Sequence, residues 1–227
     1  MREQEGKKKI TEATTYPVPY ELEGIKENIS VNTNNPSKEQ IINQAIQFHL
    51  EGKILEAKKS YEYCIDQGFN DHRVFSNYGI ILKNLCKLKD AEISYRKAIE
   101  LNPDYADAYS NLGNILREIG NLKESELSLR KAIELNPNLA NAHQNLGLTL
   151  KVLGKLKEAE LSTRKAIQLN PNDAKSHCNL GTILKDLGKL KEAELSTRKA
   201  IDIEPDSADA HSNLGNILRD FGNLEAA

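Results

Sequence analysis

An asparagine recurs once every 34 residues along most of the chain. The members of this asparagine row are Asn43, Asn77, Asn111, Asn145, Asn179 and Asn213. A side-chain amide carries both donor and acceptor groups, so a row of amides can bind the alternating N–H and C=O groups of an extended peptide with little regard to its side chains. Duplication of one unit, without any use for the amide, would leave the same row. Both interpretations remain open from the sequence alone.

Basic residues form a second row with the same period. The members of this basic row are Lys83, Arg117, Lys151, Lys185 and Arg219. At about 100° per residue in a helix, this row lies about 120° from the asparagine row. It could favour acidic ligands, but the adjacent Glu118, Asp186 and Asp220 favour a solvated helix edge. Asn114, one turn after Asn111, adds a further amide to the candidate peptide-binding residues.

Histidines also recur at this spacing, as His143, His177 and His211. Metal-binding pairs on a helix stand at i and i+4, not one per unit, so we interpret these residues as packing histidines. Segments such as LKESELSLRK place Glu one turn from Lys or Arg, which predicts surface ion pairs and not an acid/base pair. The sequence has no phosphate-binding loop, dinucleotide fingerprint or nucleophile triad. We therefore predict no catalytic residue, no metal site and no cofactor, and hence no enzyme.

The period that places these side chains runs through the whole chain after the first 37 residues. RKAIELNP occurs at 96–103 and 130–137, and close variants follow at 164–171 and 198–205. Residues 1–37, with several prolines and no helical pattern, are predicted to be a disordered or extended leader. The predicted units are 38–71 (degenerate), 72–105, 106–139, 140–173, 174–207 and 208–227 (incomplete).

Each unit has the apolar spacing of two helices. In the third unit the first helix is predicted from Tyr109, Leu112 and Leu116, and the second from a set that includes Leu127 and Leu129. Left-handed glycines are predicted to end the first helix of five units, at Gly52, Gly120, Gly154, Gly188 and Gly222. Prolines end the second helix, and the residues after them are predicted N-caps of the next: Asp104, Asn138, Asn172 and Asp206.

The small residues inside the units are predicted to allow close helix contact. Gly113 in the first helix of its unit is expected to face Ala132 in the second. The second unit has Cys86 where the other units have the left-handed glycine, and this conformation is less favourable for a side chain than for glycine.

This pattern of Leu-Gly, small residue, Ala and Pro in one phase resembles the tetratricopeptide repeat. The resemblance covers residues 38–227, although the first unit has Gln44, Cys64 and Phe69 in place of the usual residues. It implies an all-α, right-handed superhelical solenoid of antiparallel helix pairs, with the first helix of each pair on the concave face. Similar arrays occur in bacterial proteins and in O-GlcNAc transferases, whose repeat region carries a comparable asparagine ladder.

The resemblance implies a protein-interaction scaffold that binds a protein or peptide in its concave groove. The alternative is the substrate-recruiting arm of an O-GlcNAc transferase-like glycosyltransferase whose catalytic domain is absent from this chain. The carboxylate clamp of chaperone-binding members needs basic residues where this chain has Ser76, Ser110, Gln144 and Ser212. A chaperone adaptor is therefore not expected.

Composition excludes several further partners. The net charge is -2, from 31 basic and 33 acidic residues, which argues against nucleic acid because such binding depends on excess positive charge. No apolar run is long enough to span a membrane. The odd number of cysteines, three, fits a reducing compartment, so we expect a cytoplasmic protein. The final unit lacks a second helix, which leaves an uncapped end suited to end-to-end self-association or to further sequence.

Overall fold

The structure, a computed structural model, describes residues 36–225, and this part of the chain is helical throughout with no strand. Residues 1–35 of the predicted leader, which spans residues 1–37, lie outside the described residues. The helices are α1 Lys38–Leu50, α2 Ile54–Asp66, α3 His72–Asn84, α4 Leu88–Leu101, α5 Ala106–Glu118, α6 Leu122–Leu135, α7 Ala140–Val152, α8 Leu156–Leu169, α9 Ala174–Asp186, α10 Leu190–Ile203 and α11 Ala208–Glu225. Odd-numbered helices are called A helices and even-numbered ones B helices.

A left-handed residue ends each A helix that a B helix follows. Gly120 has φ 88°, and its amide donates to the carbonyl of Arg117 over 3.1 Å. Cys86 takes the same conformation, with φ 59°, as expected from its place in the pattern. The prediction for Gly222 is wrong, because α11 continues through it to Glu225. At Gly120 the turn is stabilised by the packing of α6 on α5, and no helix follows α11 in the described residues.

The predicted N-caps are also wrong, because the A helices begin later. The cap positions of α5 and α7 are Tyr105 and Leu139, which lack a capping side chain. The asparagines before the prolines instead stabilise the turn, as where Asn102 Oδ1 accepts from the amide of Asp104 at 3.2 Å. In α9 the cap is Asp173, one residue after the predicted Asn172, and its carboxylate accepts from the amide of Ser176 at 3.0 Å.

The A and B helices of one unit approach most closely at the glycine that recurs in the middle of the A helix. A Cβ built on Gly113 would lie 2.5 Å from Cγ of Leu129, which is completely buried. The residue opposite the glycine is therefore Leu129 and not the predicted Ala132, which is buried one turn further along α6. The corresponding partner of Gly79 is Tyr95.

The outward side of the B helices carries ion pairs that join neighbouring units. Arg130 in α6 pairs with Glu126 of its own helix at 2.9 Å and with Glu158 of α8 at 2.6 Å. Between these charges, Leu127 is 69% exposed, so its assignment to the apolar core was wrong. Surface ion pairs contribute about 0–1 kcal/mol each, so most of the stability comes from the buried faces of the helices.

Three histidines predict how stability depends on pH. Burial lowers the pKa of His49, His72 and His143 below the ordinary value near 6.5. The unfolded chain therefore takes up protons first on acidification, and stability that is full above about pH 6.5 is lost as pH falls through the folded-state pKa values. We expect the urea midpoint to fall between pH 7.5 and pH 5.5, at constant ionic strength. A flat profile over this range would contradict the prediction, and His143→Gln should reduce the slope.

Candidate functional site

The A helices line the inner face of the stack. Consecutive A helices contact one another directly, whereas consecutive B helices in the described residues are too far apart for their backbones to do so. A stack whose elements are close on one side and separated on the other curves toward the close side. The concave surface, called the groove below, is therefore formed by α1, α3, α5, α7, α9 and α11.

The asparagine row follows this groove from unit to unit, but its members differ in exposure. Asn43 is exposed, and Asn111, Asn145, Asn179 and Asn213 are partly buried. Asn77 is only 6% exposed, so it does not present a free amide to a peptide as predicted for the members of the row. Its amide lies beside the buried hydroxyl of Tyr61, because α3 packs against α2 of the preceding unit.

Three consecutive members of the row have unused hydrogen-bonding groups. The side-chain amides of Asn111, Asn145 and Asn179 make no hydrogen bond to other described residues, and their polar atoms are not sealed from solvent. Asn213 differs, since its Nδ2 donates to Sγ of Cys178 at 3.0 Å. The groove therefore offers an uninterrupted set of free amides over α5, α7 and α9.

The basic row is mostly neutralised by the neighbouring unit. Lys83 lies 3.5 Å from Glu118, and Lys151 lies 3.5 Å from Asp186. Lys185 repeats the arrangement one unit later. These lysines connect units and do not form the free cationic row that an anion site would need. Arg117 and Arg219 instead donate to Oδ1 of Asn114 and Asn216, at 2.8 Å and 3.2 Å.

The first turns of the A helices carry further charge. Arg73 of α3 donates to both carboxylate oxygens of Glu39, at 3.0 and 2.9 Å, and this hydrogen bonding lowers the pKa of Glu39. In α5, burial raises the pKa of Asp107, which has no ion-pair partner among the described residues. The groove therefore has no single sign of charge at this edge.

The recurring histidines stabilise the turns between units. Nε2 of His143 lies 3.0 Å from the carbonyl of Pro137, and His177 and His211 bond to Pro171 and Pro205 in the same way. A carbonyl can only accept, so Nε2 carries the proton. This contact agrees with the packing role predicted from the sequence. Among the side chains that the structure describes, no three from His, Cys, Asp or Glu come together as metal ligands would.

The arrangement suits recognition of a polypeptide backbone. Free amides at regular spacing can donate and accept at once, which matches an extended chain. The 34-residue spacing predicts this row, but it does not indicate that Val152 interrupts the acidic series formed by Glu118, Asp186 and Asp220. Alignment of the units against one another would have revealed it.

No helix in the described residues has the length and apolar character needed to cross a bilayer.

Protein-family models match the central part of the chain. A model described as TPR repeat matches residues 87–120 and 113–154, and two models described as tetratricopeptide repeat match residues 140–173 and 163–194. The matches together run from residue 87 to residue 194. None of the curated proteins compared with the chain matches it.

Solved structures show the same fold. TTC0263, a thermophilic TPR protein of Thermus thermophilus, is 20% identical and has a TM-score of 0.64, with 80% of this chain and 99% of that chain covered. PilF of Pseudomonas aeruginosa is 18% identical, with a TM-score of 0.70 and coverage of 83% and 86%. YrrB, a TPR protein with an unusual peptide-binding site, is 23% identical, with a TM-score of 0.61 and coverage of 78% and 91%. These similarities establish the all-α helical-repeat solenoid.

Proposed function

Because the chain is a tetratricopeptide repeat protein, we propose that it is an interaction scaffold whose groove binds an extended segment of a partner protein. The observation that carries the proposal is the set of free amides on Asn111, Asn145 and Asn179. Polar side chains that face a groove and have no partner in their own protein are available to a ligand. YrrB, which has the same fold, is a TPR protein with an unusual peptide-binding site, so it supports peptide binding by an array of this fold.

The spacing of the units fits an extended peptide. Neighbouring helix axes pack about 8–10 Å apart, and an extended chain advances about 3.3 Å per residue. Each unit therefore spans about three peptide residues and presents one amide to them. Such an amide can donate to one backbone carbonyl and accept from one N–H.

The hydrogen bonds of the three amides limit the affinity for a peptide that the asparagine row can supply by itself. Three amides with two bonds each give six hydrogen bonds, which contribute about 3–9 kcal/mol at 0.5–1.5 kcal/mol per bond. Association costs about 4–15 kcal/mol in lost freedom. The asparagine row therefore holds the peptide backbone, and contacts to the peptide's side chains supply the rest of the affinity and the selectivity.

A recruiting arm of an O-GlcNAc transferase-like enzyme would use the same surface in the same way. Peptide binding in the groove is common to both roles and is the property to test first.

The test is to select ligands from a random peptide library on the 227-residue chain and to map the bound peptide by NMR. We expect the side-chain NH₂ signals of Asn111, Asn145 and Asn179 to shift on titration. The signal of Asn121, whose amide donates to Glu124 outside the groove at 2.7 Å, should not move. Shifts confined to the outer surface of the B helices, or a library that yields no ligand, would reject the proposal.

A further inference from the structure

From α3 onward, the inter-unit ion pairs between the ends of consecutive A helices follow a rule with one exception. A cation near the end of one A helix pairs with an acid at the end of the next A helix, as in Lys83 with Glu118 and Lys151 with Asp186. The pair of Lys185 and Asp220, 3.8 Å apart, continues the series. Between α5 and α7 the cation, Arg117, is present, but the acid is replaced by Val152.

Arg117 is consequently a cation without a carboxylate partner among the described residues. Its Nη2 donates to Oδ1 of Asn114 at 2.8 Å, which fixes the guanidinium against α5. Its Nε is sealed from solvent and has no hydrogen-bond partner in this part of the chain. A guanidinium has five N–H donors, and most of those of Arg117 remain unused. The group is held in place and can accept a carboxylate without breaking an existing ion pair.

An apolar surface lies on the other side of the gap. Val152 is 60% exposed, and Leu148, one turn earlier on α7, is partly buried on the same side of the helix. The residue that corresponds to Leu148 is Asn114 on α5 and Thr182 on α9, so neither adjacent A helix has this apolar surface. Helix α1 carries a similar pair, Ile46 and Leu50, but no A helix with a basic-row residue precedes α1 in the described residues. A positive charge next to an aliphatic surface is complementary to a ligand with an acid next to an aliphatic group.

We propose that the gap between α5 and α7 selects an extended peptide with an Asp or Glu side chain at Arg117 and an aliphatic side chain on Leu148 and Val152. This inference rests on the proposed function and names its ligand class. Residues i and i+2 of an extended chain point to the same side, about 6–7 Å apart. The acid and the aliphatic residue are therefore two positions apart. The gap lies between the third and fourth of six units, so the peptide runs past it and presents a side chain, not its terminal carboxylate.

Four variants of the full chain test this selectivity. Arg117→Gln removes the charge, and Val152→Glu restores the ion pair found between the other units. Val152→Gln changes the apolar contact without supplying a charge. Arg130→Gln is the matched control, because it removes the same charge from the outer surface. Each protein is used to screen N-acetylated, C-amidated dodecapeptides, and circular dichroism checks its fold.

With the wild type we expect enrichment of Asp or Glu two positions from Leu, Ile or Val. Changing that acid to its amide should weaken binding by about tenfold or more, the effect of losing a charge-assisted pair. Arg117→Gln and Val152→Glu should abolish the difference between acid and amide, and Arg130→Gln should retain it. Val152→Gln should retain the acid preference and lose the aliphatic one.

The outcomes separate this inference from the proposed function. If peptides bind in the groove but show no acid preference, or if the preference survives Val152→Glu, the scaffold proposal stands and the assigned selectivity is wrong. The selected peptides are also tested with a free terminal carboxylate. If Arg117→Gln weakens binding of these peptides but not of the C-amidated ones, a side-chain site is likewise excluded. If the wild type captures no peptide, both proposals fail.

Discussion

Changing Asn111, Asn145 and Asn179 together to alanine is expected to weaken peptide binding by about a hundredfold or more. The six hydrogen bonds of the three amides, at about 0.5–1.5 kcal/mol each, sum to about 3–9 kcal/mol, and each 1.4 kcal/mol is a factor of about ten in affinity. Stability should change little, because none of these amides hydrogen-bonds to another described residue. Fluorescence anisotropy with a selected, labelled peptide measures the affinity, and thermal circular dichroism measures the fold.

The chain provides a matched control for this triple change. Leu127, Leu161 and Leu195 have the same 34-residue spacing, and each is 69–70% exposed on the B helices. Their change to alanine removes three side chains from the outer surface and should leave peptide affinity unaltered. Undiminished binding by the asparagine variant would mean that the row was inherited through duplication without a role in binding. Equal losses in both variants would indicate a general effect on the array.

Much of the fold could be predicted because the units repeat the same local signals. Gly120 and its counterparts allow a left-handed turn that most residues disfavour, and the prolines end the following helices. Even Cys86, which breaks this pattern, adopts the conformation that its position predicts, with φ 59°. The packing between the helices of the unit therefore outweighs the local preference of the residue.

The sequence predictions that proved wrong concern residues whose exposure or conformation depends on a neighbouring helix. A helical angle tells which side of a helix a residue occupies, but not what the adjacent unit places against it. Asn77 is buried beside Tyr61 for this reason, and Leu127 is exposed although it belongs to an apolar set. Gly222 has the same residue type as Gly120 but continues the helix, and no B helix packs on α11 in the described residues.

The charges of the groove were the least predictable part of the candidate site. Whether a basic row is free or neutralised depends on the distance between consecutive A helices, and this distance is set by tertiary packing. The pairing of Lys83 with Glu118 at 3.5 Å could therefore be recognised only from the structure. Once that pairing is known, Val152 marks the unit where it fails.

Gly113→Ala is expected to destabilise the chain by about 1–2 kcal/mol. The new methyl group would lie 2.5 Å from Cγ and 2.9 Å from Cδ2 of Leu129, whose side chain is fully buried. Overpacking of this kind costs about 1–3 kcal/mol. The higher helix propensity of alanine recovers about 1 kcal/mol. A steric cost in the upper part of the overpacking range therefore leaves a net destabilisation of about 1–2 kcal/mol.

Gly215→Ala is the matched control, because Gly215 holds the same position in α11 and a Cβ there would meet nothing within 4 Å. It should stabilise the chain by up to about 1 kcal/mol through helix propensity alone. The difference between the two variants therefore measures the steric cost, since the change in propensity is common to both. Urea unfolding of each variant provides the comparison, and equal effects at the two sites would contradict the assigned contact.

The same contact predicts that the sign of the Gly113→Ala effect depends on Leu129. Leu129→Ala alone should cost about 2–5 kcal/mol, because it leaves a cavity between α5 and α6. In that background the methyl group added at position 113 enters the cavity instead of meeting a side chain. The double variant should then be more stable than Leu129→Ala alone. Additive losses in a double-mutant cycle would show that the two positions do not interact.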